Sequence, residues 1–420
     1  MTKSSFSPPS SLLSSSLPLY IVFLRLAIQR EAHKILWLNP LRSRENLPSL
    51  TIVPMGSLES APRPVTPPPS LEVSPSSGCL VYVPFCLKDP TLKAGAASNW
   101  MECYDPASNS WCHVSLIPHV AEGHVLKGFA MVSVGEMIYV VGGRLCRKEM
   151  AHVSDEQADW VDVEVEILST VMKYDARTKR WSACAPLGTP RSDFACAVRD
   201  EKIYVAGGQS SLGCARGVSS AEVYDPVVDE WRPLPDMNTM RYKSVGVTWQ
   251  DKIHVVGGFV KRLNSDRTFP FITERSSAEV FDPRTGTWEL MARMWQLDVP
   301  PNQIVAVDGK LFSSGDCLKA WKGHIEAYDA ELNMWNEVEN SCHRELSEPI
   351  KRLYLTMAPI GSHLHFLLGY RSSGETPQTI SMACKFDTSA TTGDAWTRFE
   401  PVVEEAEKEL CSHCCVVKLL

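Results

Sequence analysis

Lys202-Ile203-Tyr204-Val205-Ala206-Gly207-Gly208, then Tyr224-Asp225, then Trp231: these pieces, in this order, decide how the 420-residue chain is read. The set recurs, and internal repeats outrank any local signal. Outward from it, an aromatic followed by Asp appears at Tyr104, Tyr174, Tyr224, Phe281, Tyr328 and Phe386, and a tryptophan follows each, at Trp111, Trp181, Trp231, Trp288, Trp335 and Trp396. The spacing is seven residues in the first five copies and ten in the sixth. Upstream, Gly142-Gly143 and Gly257-Gly258 end apolar runs like the one at Gly207-Gly208, with weaker versions at Leu311–Gly315 and Leu364–Gly369. Each copy reads as a four-stranded unit. A β-branched second strand ends in paired glycines, which suit crowded backbones or positive φ. A third strand ends in the aromatic-Asp pair, a turn starter. A fourth carries the tryptophan, large enough to fill the gap between sheets. One such sheet cannot bury both faces, so the copies must stack around an axis.

These residues resemble the kelch repeat, and the resemblance covers about 78–420. It implies an all-β fold, a six-bladed kelch β-propeller of four-stranded antiparallel blades. The blades fall at about 78–118 with 411–420, 124–187, 191–237, 241–294, 301–340 and 352–403. Blade 1 has no first strand of its own. The tail from Cys411 to Leu419 resembles first-strand segments such as Ser192–Arg199, so it is expected to pair into blade 1 and close the ring, which also removes a sheet edge. Leu50-Thr51-Ile52-Val53 is the competing donor.

A formal charge of −7 argues against an electrostatic grip on nucleic acid or anionic membrane. No apolar run reaches the length of a membrane-spanning helix. The fourteen cysteines lack the dense spacing of a disulfide scaffold, and several sit in apolar runs, so a reducing compartment, cytoplasmic or nuclear, is expected. Residues 1–53 read as a leader, disordered or weakly helical. Its first 30 residues are serine-rich with no acid, the composition of a plastid or mitochondrial transit peptide, and that alternative stays open. Residues 54–77 are a Pro/Ser-rich linker.

Function is expected on the face that carries the second-to-third and fourth-to-first strand connections, where long loops on a rigid scaffold recognise partners. The blade-2 insertion between Gly143 and Val171 is acidic (Asp155, Glu156, Asp159, Asp162, Glu164, Glu166) and holds Trp160. The blade-4 insertion is basic and aromatic, with Lys261, Arg262, Arg267, Arg275, Phe269 and Phe271. Aromatics and arginines make good anchors. Arg191 and Arg241 lie in fourth-to-first connections, where some kelch receptors grip acidic peptides; an inter-blade salt bridge is the equal alternative.

No catalytic set, metal site or cofactor motif is read. Cys411, His413, Cys414 and Cys415 have ligand-like spacing, but a strand reading takes precedence over zinc. His363 and His365 share a strand face and are read as structural. A galactose-oxidase-like metalloenzyme is kept as the enzymatic alternative. The chain is otherwise similar to plant proteins of the F-box/kelch group. That resemblance implies a propeller that binds a protein client, and a Skp1-type linker if an F-box is present. The F-box opening, its helices and its late Val-x-x-x-Trp segment are not recognisable; Leu17-Pro18 and the apolar residues after it are at most a vestige. Two roles therefore stand: a free-standing interaction module, or a ubiquitin-ligase substrate receptor with a degenerate F-box.

Overall fold

The computed structural model describes residues 78–92, 98–154, 157–213, 216–261, 276–297, 299–317, 325–338, 351–372, 378–390 and 395–419. All fall within one compact unit, Glu72–Leu420. Apart from a single 3-10 turn at Pro90–Leu92, the regular elements among them are strands, joined in antiparallel ladders.

Six sheets carry the six repeats. Sheet 2 runs Ala130–Val134, Met137–Val141, Val171–Asp175, Arg180–Cys184; sheet 3 runs Ala195–Arg199, Lys202–Ala206, Ala221–Asp225, Glu230–Leu234. Sheet 4 runs Val245–Trp249, Lys252–Val256, Ala278–Asp282, Thr287–Met291; sheet 5 runs Ile304–Val307, Lys310–Ser313, Ile325–Asp329, Met334–Val338. Sheet 6 runs Arg352–Ile360, His363–Arg371, Gln378–Asp387, Trp396–Arg398, with Val402–Glu405 added to its third strand. In sheet 1, Cys79–Leu87 pairs with Trp100–Asp105, which pairs with Ser110–Leu116. The first place in sheet 1 is taken by the end of the chain: Lys408–Leu410 and Cys415–Lys418 both pair with Cys79–Leu87, with Cys79 opposite Lys418 and Tyr82 opposite Cys415. The competing segment Leu50–Val53 lies outside the described residues.

The repeat residues build the turns and the packing. Each aromatic faces its tryptophan directly across the ladder, from Tyr104–Trp111 to Phe386–Trp396, with ring centroids 4.9–5.2 Å apart. Each repeat Asp accepts, through Oδ1, the backbone N–H two residues on, at 2.9–3.1 Å, from Ala107, Arg177, Val227, Arg284, Glu331 and Ser389. This is the local bond that makes Asp a turn starter. Trp181, Trp231, Trp288 and Trp335 then donate their indole N–H to the preceding sheet or the connection just beyond it, at Ser115 Oγ and the carbonyls of Ala185, Pro235 and Met294.

Apolar clusters lie between neighbouring sheets: Tyr82, Met101 and Tyr174 between 1 and 2, Tyr139, Ile203 and Tyr224 between 2 and 3, and Tyr204, Ile253 and Phe281 between 3 and 4. Val256, Trp295 and Trp335 pack between 4 and 5, Val305, Phe312 and Phe366 between 5 and 6, and Phe85, Tyr104 and Tyr354 between 6 and 1. First strands approach closely enough that a Cβ on Gly246 would lie 2.6 Å from the backbone N of Cys196. Gly207, at φ +69, needs its missing side chain for a second reason: a Cβ there would meet the Arg241 carbonyl oxygen at 2.6 Å.

The blade-2 insertion differs from the loop expected. Arg144–Ser154 and Gln157–Ile167 form a long hairpin, joined by His124–Lys127 into a separate three-stranded sheet. The reason is in the sequence: Val161, Val163 and Val165 alternate with acids, the period of a strand.

Candidate interaction site

In antiparallel sheets the second-to-third and fourth-to-first connections emerge on one face. The first strands surround a cavity of about 900 Å³, lined by residues within 127–133, 193–198, 243–248, 300–306 and 410–416 together with Met357 and Pro359. Lys127, Arg144, Asp162, Asp193 and Lys243 line it and belong to these connections, so its mouth on that face is charged. Arg144 holds Asp193 at 2.5 Å and Glu164 at 3.1 Å. Glu409 sits between Lys148 and Lys127, at 2.6 and 3.0 Å. Burial pushes its carboxyl up, but the two ammonium groups overcome that and hold it below the usual range.

The acidic insertion is therefore not a free acidic loop. Asp162 lies 3.3 Å from Lys148, Asp159 lies 2.6 Å from Lys88, and Glu164 is on Arg144. Asp155 and Glu156 lie outside the described residues. Trp160 is half-buried on the hairpin, directly opposite Met150, which is 53% exposed. Lys261 ends the strand Phe259–Lys261, which pairs with Met240–Tyr242. Arg262, Arg267, Phe269, Phe271 and Arg275 lie outside the described residues.

Arg191 and Arg241 are corrected by their surroundings. Both are fully buried. Arg191 gives Nη1 to the carbonyls of Gly207 and Ser220 and Nη2 to Glu222 Oε1, at 2.7–2.8 Å. Arg241 bonds the carbonyls of Gly257 and Ser277 and lies 3.9 Å from Glu279. Glu222 also accepts the N–H of Gly188 and Thr189, and Glu279 accepts that of Asn238. Each arginine thus ties the connection leading into a sheet to that same sheet's third strand; the tie is within a repeat rather than between blades, and no guanidinium reaches the surface.

Sequence reasoning missed the acid. A glutamate stands two residues before the aromatic in four copies, at Glu102, Glu222, Glu279 and Glu326. In sheet 1 its cation is Lys408, buried, 2.6 Å from both Glu102 and Glu404 and 4.3 Å from the Phe85 ring centre. An isolated buried charge is so costly that such an acid implies a buried base.

The C-terminal Cys/His run is strand and strand entry. Burial pushes His413 down to about 4 and Cys414 up to about 12. Among the described residues, no three His, Cys, Asp or Glu side chains are grouped as a metal would require. His363 lies 3.9 Å from Asp387, and His365 is buried.

With this geometry in hand, comparison with known families gives the kelch motif, matching residues 190–238 and 240–294, the spans of sheets 3 and 4 with their incoming connections. The chain carries kelch repeats. It resembles plant F-box/kelch-repeat proteins: one from Arabidopsis thaliana is 33% identical over 199 residues, 47% of this chain and 47% of that protein. The Arabidopsis F-box/kelch-repeat protein OR23 is 29% identical over 293 residues, 63% of this chain and 62% of its own length. Kelch-like protein 25 of Xenopus tropicalis is 27% identical over 231 residues, 54% of this chain and 36% of that protein. The chain thus spans about half the length of the curated relatives it matches.

Proposed function

We propose that the kelch repeats form a six-bladed propeller, closed by the C-terminal strand in blade 1, and that this propeller binds a protein client. Support for the ring comes from the six apolar clusters, which link each sheet to the next and sheet 6 to sheet 1. The observation that carries the binding role is the hairpin Arg144–Ile167, which stands on the cavity's charged face and presents Trp160 beside exposed Met150. Aromatic and methionine side chains are enriched at interface centres. The paired acids and bases around the mouth leave a surface of mixed sign, suited to a polypeptide.

The relatives named as F-box/kelch-repeat proteins favour a second reading, a ubiquitin-ligase substrate receptor that also contacts a Skp1-type linker through residues 1–53. One experiment tests both. Tagged full-length chain is purified from native cells alongside a Trp160→Ala/Met150→Ala variant and an Arg284→Ala variant at a third-to-fourth-strand turn on the other face. The reading expects a client kept by Arg284→Ala and lost by the hairpin variant. A client kept by the hairpin variant removes that site. Recovery of a Skp1-type linker and a cullin supports the receptor reading, and their absence beside a retained client leaves the free-standing module.

A further inference from the structure

Two cysteines face each other across the outer strands of sheet 1. Cys103 and Cys112 are direct cross-strand partners. Side chains so placed point the same way with Cβ atoms about 4.5–5.5 Å apart. Their Cα separation, about 4.5 or 5.5 Å in either kind of antiparallel pair, lies within the span of a disulfide. Both are thiols here.

Their environments differ. Cys103 is 5% exposed and has Tyr82 as its partner on the other side. Cys112 is exposed on the last strand of the sheet. A hydrogen bond from the Cys103 thiol draws Cys112 down to about 6 against the effect of burial, and Lys179 of the neighbouring sheet adds to it. The same bond, with burial, pushes Cys103 up. The exposed sulfur therefore gives up its proton more readily than the buried one, the division of labour between an attacking and a resolving cysteine.

We propose that Cys112 and Cys103 form a peroxide-responsive modification site, closing to a reversible cross-strand disulfide. The Cys112 thiolate attacks one oxygen of hydrogen peroxide. The O–O bond breaks, a sulfenic acid forms, and the departing hydroxide takes up a proton as water. The Cys103 sulfur then attacks the sulfenic sulfur; its proton leaves with the hydroxyl as a second water, and the S–S bond forms. Two thiols are oxidised and one peroxide is reduced to two waters. A dithiol reductant returns the pair by exchange. The bridge would staple the outer strands of sheet 1 one residue from the Tyr104–Trp111 pair, on a different part of the molecule from the proposed client face.

The test uses the full chain, treated with hydrogen peroxide while folded, then denatured in alkylating agent and mapped by mass spectrometry. The expected product is a Cys103–Cys112 bridged peptide, reversed by dithiothreitol, with Cys317, another exposed thiol, still alkylated. Iodoacetamide should modify native Cys112 at pH 7 roughly tenfold faster than Cys317, the larger thiolate fraction outweighing the lower nucleophilicity of a low-pKa thiolate. In Cys103→Ser, dimedone should trap a sulfenic acid at Cys112 and no bridge should form. The proposal is overturned if Cys112 stays reduced while Cys317 oxidises, or if the bridge forms only after denaturation.

Discussion

Arg191 Nη2 lies 2.7 Å from Glu222 Oε1, the arginine wholly buried and the glutamate nearly so. The pair fixes where the chain enters sheet 3, because the same carboxylate holds the N–H groups of Gly188 and Thr189. Removing one partner of a buried pair leaves the other charge uncompensated, a loss of about 3–5 kcal/mol. Arg191→Met should therefore lower the urea midpoint of unfolding severely. Arg284→Ala, which removes a side chain 74% exposed beside Asp282, should leave it nearly unchanged. Equal losses in the two variants would show that the buried tie carries no special weight.

Gly246 tests the close approach of first strands. A Cβ there would sit 2.6 Å from both the N and O of Cys196, backbone atoms that can yield only by moving a strand. Gly246→Val should cost about 1–3 kcal/mol or more by overpacking, read as a fall in thermal midpoint with the secondary-structure signal retained below it. A midpoint equal to that of the parent would mean that the strands are further apart than described.

The C-terminal strand gives a third test. Val417 is fully buried and Cys415 nearly so, and both sit on the strand that pairs with Cys79–Leu87. Deleting residues 411–420 should expose that strand's edge and convert a sharp melt into a broad one with oligomers by gel filtration. A monomer with an unchanged melt would count against the pairing.

Acid sensitivity should come first from histidines. Burial holds His254, His365 and His413 neutral, each down to about 4, with Lys385 and His363 beside the second acting the same way. The unfolded chain takes up protons at these sites near pH 6.5 and the folded one does not, so stability falls as pH drops from about 6.5 towards 4. Each contributes on the order of 2–3 kcal/mol to that loss. The carboxylate of Asp282, held at about 2 by Arg284, adds its share only as pH falls from its unfolded value towards 2. Urea midpoints at pH 7, 5.5 and 4.5 should fall steadily, and less so in His365→Leu. A flat profile above pH 4.5 would exclude these groups.

Sheets 1 to 6 were legible because the repeat couples local chemistry to packing: the Asp that starts a turn and the aromatic-tryptophan pair that bridges sheets are both visible at fixed spacing. The C-terminal strand was legible because Cys415–Lys418 lies in a stretch that reads like other first strands. The hairpin at 144–167 was not, since its charges drew attention from the valine alternation beneath them. Arg191 and Arg241 were found but misplaced. Their partners are brought close by the third strand, 31 and 38 residues on, where spacing along the chain gives no warning. Lys408, serving sheet 1 from more than 300 residues away, shows the same blindness at greater range.

The pairing of Cys79 with Lys418 also sets an order of events in synthesis. Sheet 1 holds the first described strand yet cannot be finished until residue 418 has left the ribosome. Sheets 2 to 6 can assemble from contiguous chain as it emerges, while Cys79–Leu87 waits with one edge open. Contacts this distant in sequence form slowly, and an unpaired edge invites other chains meanwhile. Between the making of the first strand and the last, that open edge is where pairing with other chains is most favoured.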